Sequence, residues 1–215
     1  MPLPMVHISI AEKIFRHKGM EINADFLLGS IAPDAIHMRE HTTREDKRRT
    51  HFGMNEESNV EDLFQIKLRL FFDSYHTDKQ QYWFAKGYIA HVLTDLIWLH
   101  TVYRDFRTSI ADNPMADERS VYYAETDQVD FNLFQNEPWR PEMWDILSNA
   151  VSVGVPGMLS AEEVEKWKAR TLLWFTDSSK EPGVKPEYIT EEKVQLFIRD
   201  TSNQLVSLFE RNGYL

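Results

Sequence analysis

Between Gly87 and His100 the chain reads Gly-Tyr-Ile-Ala-His-Val-Leu-Thr-Asp-Leu-Ile-Trp-Leu-His, preceded by Tyr82, Trp83 and Phe84 and followed by Val102, Tyr103 and Phe106. No proline interrupts the chain from Asp34 to Asn113. A run that is apolar nearly all round reads as a helix buried on most of its faces. Two groups inside it resist burial, His91 and Asp95. They stand four residues apart, so one helical turn places both on the same face. A buried carboxylate is costly unless it is paired or bound to a cation, and a buried imidazole needs a partner. Such a helix delivers an imidazole and a carboxylate to one interior point, as a metal site requires.

Around this helix the rest of the chain reads as helical too. Glycine is scarce, 8 in 215 residues, and the long segments repeat with helical rather than alternating period. The expectation is an all-α multi-helix bundle enclosing a buried His/Asp metal site. The length suits a single domain over residues 1–215, which buries about 70% of the surface of its unfolded chain. With no cysteine, any metal must be held by His, Asp and Glu, a donor set that suits zinc, manganese or iron. No apolar run is long enough to span a bilayer, and the N-terminus lacks the pattern of a secretory leader, so the expected location is cytoplasmic. The formal charge of −10 disfavours long polyanions, and with them nucleic-acid coats or tight duplex binding. It leaves room for a small anionic phosphoester in a locally positive pocket.

In chain order, a first helix is expected over 6–15, with His7 at its beginning and Gly19 as a stop. A second over 24–31 ends at Ala32-Pro33-Asp34, where proline breaks the helix and leaves Asp34 at a helix-to-loop corner. Residues 39–50 are polar without apolar periodicity and read as a loop or mobile lid, closed by Thr50-His51-Phe52-Gly53. A long helix over 60–71 carries Asn59 as its cap, and the metal-delivering helix covers about 78–108. Further helices are expected over 122–134 and 141–151. Ser160-Ala-Glu-Glu163 is a capping box for a helix reaching Phe175, and Thr190 caps a last helix that Gly213 ends.

All eight histidines, at 7, 17, 37, 41, 51, 76, 91 and 100, lie in the first half, which points to that half for the chemistry. His7, Asp34 and His51 each sit beside apolar residues at an element end, and so join His91 and Asp95 as candidates. His17, between Arg16 and Lys18, reads as solvent-exposed, and His76 as incidental. His37 and His41 border the polar segment. His100 is either a partner to a ligand or a histidine satisfied by a carbonyl.

Four segments taken in order carry a likeness to a known family. They are Val6-His-Ile-Ser-Ile-Ala-Glu12, then Leu27-Leu-Gly-Ser-Ile-Ala-Pro-Asp-Ala35, then Thr50-His-Phe52, then Gly87-Tyr-Ile-Ala-His-Val-Leu-Thr-Asp95. Over about residues 5–105 the chain resembles the bacterial zinc-dependent phospholipase C family, whose all-helical fold is shared with single-strand-specific zinc nucleases. The resemblance implies a helical zinc hydrolase acting on phosphodiesters through a metal-bound hydroxide. It makes His7, Asp34, His51, His91 and Asp95 metal ligands, with Asp95 bridging two ions, and Asp34 also the group that orients or deprotonates the attacking water. Two departures stand out. The secreted enzymes use their mature N-terminal amine as a ligand, whereas six residues precede His7 here. They also hold a third zinc on a further His-x-x-x-Glu, and no histidine follows His100. One or two ions are therefore expected, with a substrate other than phospholipid.

Two other readings compete. One is a phosphohydrolase binding metal through an adjacent His-Asp doublet, which this sequence lacks. The other is a non-catalytic helical domain with a structural metal or a buried hydrogen-bond network. Finally, residues 39–49 carry Arg39, Arg44, Lys47, Arg48 and Arg49 against Glu40, Glu45 and Asp46. This net-positive stretch in an acidic chain is expected to contact the substrate, with Arg48 and Arg49 gripping phosphate oxygens, unless it is only a solvated connection.

Overall fold

The computed structural model describes residues 3–75, 79–113 and 115–215. His76, read as incidental, and Asp78, the expected start of the metal-delivering helix, lie outside the described residues. Among the described residues the fold is all helical, apart from one isolated bridge between Val155 and Leu159.

Helix α1 (Pro4–His17) opens with proline, whose fixed φ suits a first turn, and closes at Gly19 with φ +60°. Its first free amide is held across the molecule, with Met5 N donating to the Asp130 carboxylate at 3.1 Å. Asn23 caps α2 (Ala24–Gly29) by accepting from the amides of Asp25 and Phe26. Pro33 does not end helical structure but starts a 3₁₀ turn, Ala32–Met38, so Asp34 sits in a regular turn rather than at a loop corner. Asn59 caps a helical run of α4 (Val60–Leu63), a π turn (Phe64–Leu68) and α5 (Arg69–Asp73).

The central helix α6 (Lys79–Trp98) passes through another π turn (Leu99–Tyr103) into α7 (Arg104–Ile110). Behind it come α8 (Glu118–Asn136), α9 (Arg140–Asn149), α10 (Ala161–Trp174) and α11 (Glu191–Arg211). The Ser160 capping box and the Thr190 cap are both formed.

One correction is substantial. Residues 44–50 form a helix, α3 (Arg44–Thr50), where sequence periodicity suggested a loop or mobile lid. The helix has no buried apolar stripe because it lies on the surface. What starts it is a capping box between Thr43 and Asp46, with local backbone bonds doing what burial does elsewhere.

Two backbone contacts set the site. Helices α2 and α6 touch at Gly29 and Gly87, where a Cβ on either would lie 2.1 Å from the Phe84 carbonyl or 2.0 Å from the Phe26 carbonyl. The Tyr88 hydroxyl donates to the Thr50 carbonyl at 2.8 Å, tying the end of α3 to α6. The apolar core surrounds α6, with Tyr88, Val92, Leu93, Leu96 and Trp98 all buried. The Trp98 indole donates to the Tyr122 hydroxyl at 2.9 Å and so joins α6 to α8.

Candidate metal centre

Five side chains from four elements meet on one side of α6. His91 and Asp95 come from α6, His7 from the first turns of α1, Asp34 from the 3₁₀ turn, and His51 from the residue after α3. His7, His51, His91 and Asp95 are buried, and Asp34 is the most accessible at 9% exposure.

Asp95 lies at the middle. Its Oδ2 is 3.2 Å from His51 Nε2 and 3.6 Å from His91 Nε2. Its Oδ1 turns the other way, 3.5 Å from His7 Nε2. Asp34 closes the first group, with Oδ1 3.7 Å from His51 Nε2 and Oδ2 3.9 Å from His91 Nε2. The rings of His7 and His91 stack, with centroids 3.8 Å apart and planes 10° from parallel.

The imidazoles are aimed by their far nitrogens. His91 Nδ1 lies 2.8 Å from the Ser30 carbonyl, and His51 Nδ1 lies 3.0 Å from the Lys47 carbonyl. A carbonyl only accepts, so His91 Nδ1 carries the proton and its Nε2 presents a lone pair; at His51 the Thr50 hydroxyl also lies 2.9 Å from Nδ1, and the Lys47 carbonyl favours the same tautomer. This is how metal-binding histidines are oriented. His51 Nε2, His91 Nε2, both nitrogens of His7 and both oxygens of Asp95 are buried without a hydrogen-bond partner. Lone pairs facing carboxylate oxygens at 3.2–3.9 Å have nothing to donate to one another. A cation would satisfy the Nε2 lone pairs and the Asp95 oxygens, while His7 Nδ1 would still be without a partner. Zinc bonds to N and O of about 2.0–2.2 Å make a tetrahedron with edges of about 3.3–3.6 Å, close to these separations. The donors also fall into two overlapping groups, His7–His91–Asp95 and Asp34–His51–His91, each with its ligand atoms within 4.8 Å of one another. The residues fit a metal.

Protonation agrees with geometry. Burial, then the neighbouring His7, holds His91 down at about 3, so it is neutral at neutral pH. Burial pushes Asp34 up, but the Lys47 ammonium and the imidazoles of His91 and His51 outweigh it and keep the carboxyl below its ordinary range. Two carboxyl groups and the neutral His91 imidazole are a donor set that matches a divalent cation.

The remaining sequence candidates fall apart from this cluster to different degrees. His37 is at its rim, 3.7 Å from Asp34 Oδ1, and accepts from Lys47 Nζ at 3.1 Å. His100 is not in the cluster and meets the Glu56 carbonyl at 3.1 Å. Arg48 turns away to clasp Glu45 with two bonds, and Arg49 is exposed. Arg39 is bound to Glu163 and Asp46. His17 and His41 are exposed.

The residue that sequence reasoning counted in the basic stretch but ranked behind Arg48 and Arg49 is Lys47, whose Nζ lies 3.4 Å from Asp34 Oδ1. The signal was present in Thr43-x-x-Asp46, because a capping box there makes 44–50 a helix and puts Lys47 on the same face as His51.

Comparison with known proteins adds one finding. A family model described as zinc dependent phospholipase C matches residues 6–148. No curated protein and no solved structure matches.

Proposed function

This chain belongs to the zinc-dependent phospholipase C family, and on that premise we propose that it is a zinc-dependent hydrolase of small anionic phosphodiesters. The observation that carries the reading is the posture of Asp95, whose Oδ2 faces His51 and His91 while Oδ1 faces His7. A carboxylate with imidazoles facing both of its oxygens would serve two adjacent cation positions. Asp34, His51, His91 and Asp95 would hold one ion, and His7 with Asp95 would help hold a second. When bound, zinc acidifies water at the site and offsets the charge on phosphoryl oxygens.

The chain's own groups do the rest. Asp34 is the most exposed of the five, which supports assigning to its carboxylate the contact with substrate and water, where it would orient the attacking water or accept its proton. Lys47 Nζ and His37 stand beside that same oxygen. Lys47 brings positive charge to the rim of the site in an acidic protein, and it is the group that would neutralise a phosphoryl oxygen. Buried histidines keep their lone pairs inward through the Ser30 and Lys47 carbonyls, so no reorganisation is needed as charge develops.

One observation favours a second reading. Asp34, His51, His91 and Asp95 are four protein donors, and a closed set of four is the pattern of structural zinc. Metal analysis of untagged protein, together with turnover of bis(p-nitrophenyl) phosphate, separates the two. Zinc at one equivalent or more with turnover abolished by Asp34→Asn supports the hydrolase. Tightly held zinc without turnover of any phosphodiester supports the structural reading. Zinc well below one equivalent after supplementation would falsify both.

A further inference from the structure

Two helices start beside one guanidinium. Helix α3 opens with the capping box in which Asp46 Oδ2 accepts from the Thr43 amide at 3.0 Å and the Thr43 hydroxyl at 2.6 Å. Helix α10 opens with another, in which Glu163 Oε2 accepts from the Ser160 amide at 2.7 Å. Each box is complete within its own helix. The two carboxylates then reach past those helices to Arg39. Its Nη1 donates to Asp46 Oδ1 at 3.3 Å, and its Nε and Nη2 donate to the oxygens of Glu163 at 2.7 and 3.1 Å. Nη2 also donates to the Met158 carbonyl at 2.7 Å. Local capping asks for none of these bonds. A rigid fork of donors can make them together, and a single ammonium cannot.

The bridge bears on the metal centre through Lys47. Arg39 is the residue on which the 3₁₀ turn carrying Asp34 and His37 ends. Asp46 immediately precedes Lys47. One guanidinium therefore joins the turn that bears Asp34 to the helix that bears Lys47, and fastens both to α10. Lys47 Nζ meets Asp34 Oδ1 at 3.4 Å and His37 Nε2 at 3.1 Å. Its side chain is 33% exposed and has a flexible stem, so the backbone beneath it decides where the ammonium rests. The other end of α3 has anchors of its own. They are the Tyr88 hydroxyl on the Thr50 carbonyl and Lys67 Nζ on the Phe52 carbonyl, both at 2.8 Å. Loss of the bridge thus frees the start of α3 and Lys47, while His51 keeps its place at the far end.

We propose that Arg39 is a positioning residue: by bridging Asp46 and Glu163 it holds the start of α3 against α10 and so keeps Lys47 over Asp34. The placement of Lys47 stands on the hydrogen bonds alone. Only its consequence for capturing a phosphate group rests on the hydrolase reading above.

Trace acetylation of the full zinc-free chain with acetic anhydride, followed lysine by lysine by mass spectrometry, tests the placement. Arg39→Gln should raise labelling of Lys47 at least about threefold relative to the other lysines, because its contact with Asp34 no longer shields it. Arg39→Lys, which restores the charge without the fork, should label as Arg39→Gln does. Calorimetry of zinc-loaded protein with inorganic phosphate then tests the consequence. Arg39→Gln should weaken phosphate binding about tenfold, the scale of one charge-assisted contact, at unchanged zinc content. In a Lys47→Met background the same substitution should add less than about twofold, since its effect passes through Lys47. Unchanged labelling of Lys47 overturns the assignment, as does labelling that rises at every lysine, which is general loosening. Recovery in Arg39→Lys overturns it in favour of charge alone, and an equal loss of phosphate binding with and without Lys47 overturns the route through that residue. Should Arg39→Gln not fold, Glu163→Gln takes its place under the same criteria, since glutamine still completes the α10 capping box. The labelling needs neither zinc nor turnover, so the hydrolase reading can fail without deciding this one.

Discussion

Asp95 and Glu125 are both carboxylates on long helices, and both are nearly out of water, at 0% and 5% exposure. Glu125 is fully engaged. Its oxygens accept from the amides of Glu187, Tyr188 and Ile189 at 2.9, 3.0 and 2.7 Å, which pins the segment before α11 to α8. Asp95 accepts from none, and the nitrogens nearest it carry lone pairs. Burial alone therefore does not separate a structural carboxylate from one that serves a ligand. The neighbours do, since one acid is surrounded by donors and the other by further acceptors. The first is complete within the protein, and the second leaves its oxygens for a ligand.

The sharpest way to break this contrast is to neutralise each acid with and without zinc. Asp95→Asn should empty the site and remove the stabilisation that zinc confers, about 3–4 kcal/mol when zinc is at 100 to 1,000 times its dissociation constant. In zinc-free protein the same change should alter the unfolding midpoint little, because no donor loses its partner. Equal losses with and without zinc would mean that Asp95 is bonded as Glu125 is.

Acid should reach the metal centre first. His91 sits near 3 in the folded protein against about 6.5 in the unfolded chain. Below 6.5 the unfolded chain therefore binds a proton that the folded one refuses. Stability of the zinc-free protein is then full above 6.5 and falls by about 1.4 kcal/mol per pH unit towards 3. Asp34, held down beside the Lys47 ammonium, pushes the same way at lower pH, since its contribution is present above the unfolded carboxyl value and lost as pH drops through the folded one. Thermal melts from pH 7 to 4.5 check this, and His91→Gln should flatten the slope over that range.

Glu125→Gln should cost about 1–3 kcal/mol by leaving a buried amide unpaired. The loss should be the same at any zinc concentration, with metal content unchanged. If chelation alters the cost, the two acids are coupled and the contrast is weaker than it looks.

The smallest expected effects are at the rim. Lys47→Met should raise KM for an anionic phosphodiester by about tenfold, the scale of one charge-assisted contact. Arg48→Ala with Arg49→Ala should change it by no more than about twofold, since Arg48 is committed to Glu45. The reverse ranking would return the arginines to the substrate.

How far the site was legible follows from the same contrast. His91 and Asp95 stood out because they interrupt an apolar run, and His7, Asp34 and His51 because they flank one. The capping motifs at Asn59, Ser160 and Thr190 located helix starts because their partners are only three residues away. Surface helix α3 was missed since nothing in it is buried until Thr50. With it, Lys47 was ranked behind Arg48 and Arg49. His100 is nine residues beyond His91, two and a half turns, which places it on the opposite face of the helix. The bridge at Arg39 had no signature along the chain, because α3 and α10 come together there only through packing.

The contact between Gly29 and Gly87 has a bearing on tolerance to change. Ser30, whose carbonyl aims His91, follows one glycine, and His91 itself is one turn past the other. The spacing between α2 and α6 is thus a yardstick for the ligand set, graduated in single methyl groups, and neither position has room for even one. A library of substitutions should show this as zinc lost from variants in which every ligand is intact. On the proposed reading, affinity for the metal is written partly in two residues that have no side chain with which to touch it.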